Sequence, residues 1–183
     1  EINWKELEKN QPHFIFLKAT EGKTHTDTKY KEYRNKVRQL DIPVGAYHFF
    51  SYTSDGTEQA RHFIKQASLT KGDLIPVLDC EFTKGMPSRN KVTSELLKFI
   101  EEVESKMGVS PIIYCECHYY EKYLESNLKG RCPLWISNFH KEPPCDYSFW
   151  QKTDRFKHPA FRGTVDYNIF NGNAGAIASY LLK

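Results

Sequence analysis

Two carboxylates separated by a single residue, Asp79 and Glu81, end the hydrophobic run Pro76-Val-Leu-Asp-Cys-Glu-Phe82. In an extended chain residues i and i+2 share a face, so both acids project one way while Leu78, Cys80 and Phe82 pack outward beneath helices. Acids at the C-terminal end of a strand, where α/β barrels build their active sites, suit cleavage of a glycosidic bond. Their like charges repel and partial burial disfavours ionisation, so one carboxyl can keep its proton near neutral pH and donate it to a leaving oxygen. The plainer alternative is a pair of solvated strand-end acids without chemistry. A third acid, Asp166, shares a face with Asn168 and Phe170 in Gly163-Thr-Val-Asp-Tyr-Asn-Ile-Phe170, where a strand-end ion pair is an equal alternative. Tyr47 and His48 are adjacent in Gly45-Ala-Tyr-His-Phe-Phe50 and face opposite ways by alternation. We assign Tyr47 to the mouth and His48 to a hydrogen-bonded place in the wall.

The surrounding chain alternates strand and helix patterns. Strand-like runs at 14–20, 43–52, 74–82 and 111–117 are each followed by helical spacing, as in Tyr30, Tyr33, Val37 and Leu40, or Ala60, Phe63, Ile64 and Ala67. The helix after the third strand carries Leu96, Leu97, Ile100, Val103 and Met107, and a short one is expected near 119–128. Runs at 134–139, 148–152 and 163–170 are strand-like but separated by loops rich in Pro, Lys and Asp, and 174–182 is helical again. Strands buried on both faces and alternating with helices predict an α/β fold with a parallel sheet. So many units favour a closed, TIM-like β/α barrel over an open doubly wound sheet, made irregular by helix-poor closing strands.

With 183 residues, a single domain over 1–183 is expected. The chain has no apolar run approaching the roughly 20 residues needed to span a bilayer, so no membrane span is expected. A net charge of +3 fits an anionic polymer such as cell wall or nucleic acid but decides nothing. The cysteines, at 80, 115, 117, 132 and 145, are odd in number, so no disulfide framework is implied and buried free thiols are expected. Cys115 and Cys117 would face one side of a sheet, too little for a structural zinc site without further ligands. The chain opens on Glu1 rather than Met and reads as part of a longer one, with any signal peptide outside it.

Several segments, in order, resemble glycoside hydrolase family 25, the Chalaropsis-type lysozymes and endolysin muramidases. They are Phe14-Ile-Phe-Leu-Lys-Ala-Thr-Glu-Gly22, Gly45-Ala-Tyr-His-Phe-Phe50, Gly72-Asp-Leu-Ile-Pro-Val-Leu-Asp-Cys-Glu81, Pro111-Ile-Ile-Tyr114, Leu134-Trp-Ile136, Trp150-Gln151 and Val165-Asp-Tyr-Asn168. The resemblance implies an irregular β/α barrel that hydrolyses the β-1,4 bond from N-acetylmuramic acid to N-acetylglucosamine. It implies no metal or organic cofactor, peptidoglycan rather than nucleic acid as the partner, and a secreted or cell-envelope location.

By the same resemblance Glu81 matches the catalytic acid, Asp79 a neighbour that steers or polarises the 2-acetamido group, and Asp166 a further cleft aspartate. Glu21, Tyr47, Tyr114, Trp135 and Gln151 match positions that line or support the groove; core roles stay open for Trp135 and Gln151. In one departure, the family opens with an Asp-Val-Ser type strand carrying another aspartate, just before the segment resembling Ile2-Asn-Trp4. That strand is expected to be missing here, leaving the barrel N-terminally incomplete. A family-18-type chitinase also ends a strand in Asp-x-Glu, but its motif needs an Asp where Pro76 stands. A non-catalytic glycan-binding barrel is the alternative of a different class.

Overall fold

In the computed structural model, which describes residues 1–173 and 175–183, strands and helices alternate through most of the chain. They are α1 (Trp4–Lys9), β1 (Ile15–Glu21), β2 (His25–Thr26), α2 (Tyr30–Gln39), β3 (Val44–Phe49), α3 (Gly56–Ala67) and β4 (Val77–Asp79). There follow α4 (Arg89–Met107), β5 (Ile112–Cys115), α5 (Cys117–Tyr123), α6 (Glu125–Leu128), β6 (Leu134–Ser137), β7 (Phe149–Phe156) and β8 (Val165–Phe170). A short 3₁₀ turn, Ala176–Tyr180, stands in the expected C-terminal helix; Ala174, where that helix was expected to begin, lies outside the described residues. Among the described residues no helix is long and apolar enough to cross a membrane.

The strands form one sheet in the order β2-β1-β3-β4-β5-β6-β7-β8. Neighbours from β1 through β7 run parallel, as the alternating pattern predicts. The two ends depart from it, because β2 and β8 pair antiparallel to β1 and β7. Residues 157–164 carry no helix, so the chain returns directly, as antiparallel neighbours allow. The sheet is strongly curled. Laid flat, the five steps from β1 to β7 would hold those strands roughly 24 Å apart at about 4.8 Å per step. Yet the Phe14 and Phe149 rings lie 5.4 Å apart and Phe16 and Phe149 5.8 Å apart. The barrel-like curl is therefore closed by interior rings, and the strand order remains linear. Gly45 makes room for this contact, since a Cβ there would collide with the Phe16 ring.

Helices cover the outer face. Their apolar stripes bury Ala60, Phe63 and Ala67 of α3 and Leu96, Phe99, Ile100 and Val103 of α4 against Leu78 and Cys80. Ser88 caps the start of α4 through Lys91 N, and Gly108 ends it with φ 69°. Leu78 and Cys80 pack outward as expected, whereas Phe82 lies beyond the strand against α5, 39% exposed.

The cysteine expectation is corrected. Cys117 and Cys145 form a disulfide, while Cys80, Cys115 and Cys132 are free and buried. Cys117 does not share a strand with Cys115; it opens α5. Parallel neighbours β6 and β7 need a crossover, and the one over 138–148 has no helix. The disulfide instead ties that loop to α5.

Candidate active site

The site is built by strand register. Phe49, Asp79 and Tyr114 are successive lateral partners on β3, β4 and β5, and Tyr114 pairs in turn with Trp135 on β6. Lateral partners in a sheet point to the same side, so Asp79, Tyr114 and Trp135 converge on the concave face near the strands' C-terminal ends. On the far side Ser137 aligns with Gln151, and Gln151 with Asn168 of β8. Alternation along β8 then turns Asp166, Asn168 and Phe170 inward together. The result is a cleft of about 270 Å³ lined by Tyr47, Asp79, Glu81, Tyr114, Trp135 and Gln151, with Phe139, Asp154 and Asp166 at its edge and Val77 beneath. Two larger hollows, of about 560 and 580 Å³, lie at the N-terminal side of β6 and β7 and between α4 and α6, away from these strand ends.

Hydrogen bonds fix the walls. Tyr114 donates its hydroxyl to Gln151 Oε1, which turns the Gln151 NH₂ toward Asp166. Trp135 Nε1 donates to Asn168 Oδ1 at 2.9 Å, and its ring meets Tyr114 edge-on at 5.1 Å. Trp135 and Gln151 thus hold the groove together and line it. His48 faces outward as alternation requires, with Thr20 Oγ1 2.7 Å from Nδ1 and Gln59 Oε1 3.1 Å from Nε2. The Gln59 oxygen can only accept, so Nε2 carries the proton and Thr20 donates to Nδ1. Burial pushes the His48 pKa down to about 4, so it stays neutral and structural near pH 7.

The three acids differ in exposure. Asp79 is 7% exposed at the cleft floor, and its Oδ1 has no hydrogen-bond partner among the described residues. Burial, reinforced by the charge of Glu81, pushes its carboxyl well above the usual range. Glu81 stands just past β4 on the open lip; partial desolvation and then the charge of Glu116 raise its proton affinity. Asp166 is raised mainly by desolvation, and the Gln151 amide pulls the other way. Tyr47, whose phenol burial and the nearby acids keep protonated, faces this group from β3.

Glu21 is not in the cleft wall. It sits at the end of β1, its Oε2 2.7 Å from Lys18 Nζ, and that ammonium holds its carboxyl below the usual range. A register shift between Lys18 and Thr20 breaks the alternation, which lets two residues three apart turn to the same side. Lys18 itself went unremarked in the sequence, although Phe14 and Phe16 share its parity and both point inward. Its charge is a cationic influence on both Asp79 and Glu81. Asp154 and Phe139 were also missed: one follows a second register shift in β7, the other stands just past β6 in the helix-free crossover, and neither has a local signature.

Known proteins share the sequence pattern and the fold. The solved family 25 glycosyl hydrolase of Bacillus anthracis is 34% identical, with a TM-score of 0.89 over 98% of this chain and 88% of that one. The autolytic lysozyme of Clostridium acetobutylicum is 29% identical over 160 residues, 86% of this chain and 48% of its own length. Lysozyme M1 of Streptomyces globisporus is 25% identical over 193 residues, covering 96% of this chain and 66% of its own. The sequence model for glycosyl hydrolases family 25 matches residues 1–161, and with that match over most of its length the chain belongs to that family.

Proposed function

We propose that this protein is a muramidase, cleaving the β-1,4 bond from N-acetylmuramic acid to N-acetylglucosamine in peptidoglycan, with Glu81 as general acid. The observation that carries the reading is the placement of a carboxyl of raised proton affinity on the lip of a cleft whose floor and far wall are also acidic. Glu81 gives its proton to the departing glycosidic oxygen as the C1–O bond breaks and its electron pair goes to that oxygen. Positive charge growing at C1 is balanced by Asp166. Water then adds to C1, and its proton passes to a carboxylate. Asp79 lies too deep to serve the leaving oxygen and instead meets the 2-acetamido group, while Tyr47 and Asp166 hold the sugar from opposite walls. Tyr114, Trp135 and Gln151 brace the groove, and Glu21 acts on it through Lys18.

Peptidoglycan lies outside the cytoplasm, so action at the cell envelope or in secreted form follows from the reading. The Cys117–Cys145 disulfide fits an oxidising compartment. The test is the chemical identity of the reducing end released from purified peptidoglycan. Borohydride-reduced muramic acid is expected; reduced glucosamine would sink the reading in favour of a glucosaminidase, and wall binding without any new reducing end would make the protein a glycan-binding module.

A further inference from the structure

Beyond the cleft, a second cavity of about 210 Å³ opens, and Glu81, Tyr114 and Phe139 line both spaces. A general acid that protonates a bond between two sugars must stand between the places those sugars occupy. Glu81 does so here: Asp79, Asp166 and Tyr47 lie on one side of it, Glu116 and Ser137 on the other. The acetamido-facing and charge-balancing groups belong with the sugar whose C1 reacts, which leaves the second cavity for the sugar that departs.

Phe139 is 48% exposed. The other three large exposed apolar side chains have aromatic neighbours: Phe82 against Tyr119 and His118, and Phe156 against Tyr167. Among the described residues Phe139 packs on no other ring. The residues on either side of it are nonetheless held. Asn138 N donates to Gln151 O at 3.2 Å, Asn138 O accepts from Trp150 Nε1 at 2.8 Å, and Asn138 Oδ1 accepts from His140 N at 3.1 Å. The disulfide further ties its loop to the residue that follows Glu116. An unpacked ring between braced neighbours at the junction of two cavities has the form of a stacking platform for a pyranose.

Resting on the muramidase reading, we propose that Phe139, with Glu116 and Ser137 behind it, forms the subsite for the departing N-acetylglucosamine and is a specificity-determining residue for the leaving side. Two substrates separate this from a general role. A wall-derived tetrasaccharide cleaved at its internal muramic acid–glucosamine bond places a sugar there, whereas the β-fluoride of the matching disaccharide releases only fluoride and leaves the second cavity empty. Phe139→Ala should lower kcat/KM on the tetrasaccharide about tenfold, the order of a single aromatic contact. Because Phe139 also borders the first cleft, the loss on the fluoride should be present but several-fold smaller, the melting temperature should hold, and Phe139→Tyr should restore the tetrasaccharide rate. Equal losses on both substrates, or no loss on either, would overturn the assignment while wild-type activity leaves the muramidase reading standing. A wild-type enzyme that releases no muramic acid ends from the tetrasaccharide would remove that reading first, and this one with it.

Discussion

Asp73 and Asp79 are both buried aspartates, six positions apart on the same stretch of chain, and the protein treats them in opposite ways. Asp73, before β4 at the closed end of the sheet, receives Arg34 Nη2 at 2.5 Å and Thr70 N at 2.8 Å on its Oδ2, with Arg38 3.8 Å from the other oxygen. Asp79, at the open end, has no ion-pair partner among the described residues and faces the charges of Glu81, Asp166 and Glu21, which the Lys18 ammonium offsets only in part. A buried charge is costly unless paired. At the closed end pairing makes the carboxylate a fastener between α2 and the loop before β4. At the open end the cost stays in place, and it appears as a raised affinity for a proton. The difference separates acids that hold the fold from acids kept for chemistry.

The largest expected effect lies at the open end. Glu81→Gln keeps shape and hydrogen bonding but has no proton to deliver, so wall lysis should fall by about a hundred- to ten-thousandfold while melting temperature and glycan binding are retained. The high-pH limb of the pH–rate profile, which reports loss of the donor proton, should disappear. Near-normal lysis with an unchanged profile would move the acid's role to another residue.

At the closed end the same kind of change should strike stability instead. Arg34→Ala strands the Asp73 charge in the interior, and removing one partner of a buried pair costs about 3–5 kcal/mol. Urea unfolding should show that loss, and turnover per folded molecule should be unchanged. A stable Arg34→Ala protein with poor turnover would erase the contrast.

Asp79→Asn sharpens it from the other side. Because the folded-state pKa of Asp79 is raised, its neutral form adds no penalty at pH below the unfolded value, near 3.8. Stability is then lost as pH rises from there through the raised folded value. The Asn variant should therefore lose this decline and equal or exceed the wild type in stability near neutral pH. It should turn over at least tenfold more slowly, a modest part of what proton-transfer groups contribute, while still binding glycan. Full activity on peptidoglycan would end its assisting role. The smallest effects are expected from Tyr47→Phe and Asp166→Asn, which should fold normally and lose catalytic efficiency; wild-type kinetics in both would return them to the wall.

Much of this was legible wherever the physics is local. Alternation placed Asp79 with Glu81, Asp166 with Asn168, and Tyr47 opposite His48, because in an extended segment each Cβ direction follows from parity. Helix stripes on α3 and α4 were readable for the same reason. Parity misled where the strand ends sooner than the pattern: Cys117 opens α5 and does not share a sheet face with Cys115, and Phe82 lies beyond β4.

Other features needed the folded chain. The Cys117–Cys145 disulfide spans a sequence separation of 28 and exists because a helix-free crossover lies back on α5. The antiparallel turn of β8, the rings of Phe14 and Phe149 meeting across the interior, and the position of Phe139 between two cavities are all products of the curl. Residue types and their local order thus determined which groups could do chemistry and which way most of them point. Only the tertiary structure decided which buried acid received a cation, because Arg34 comes from α2 and the acids around Asp79 from β8 and the chain beyond β4, and such meetings depend on strand register and curl.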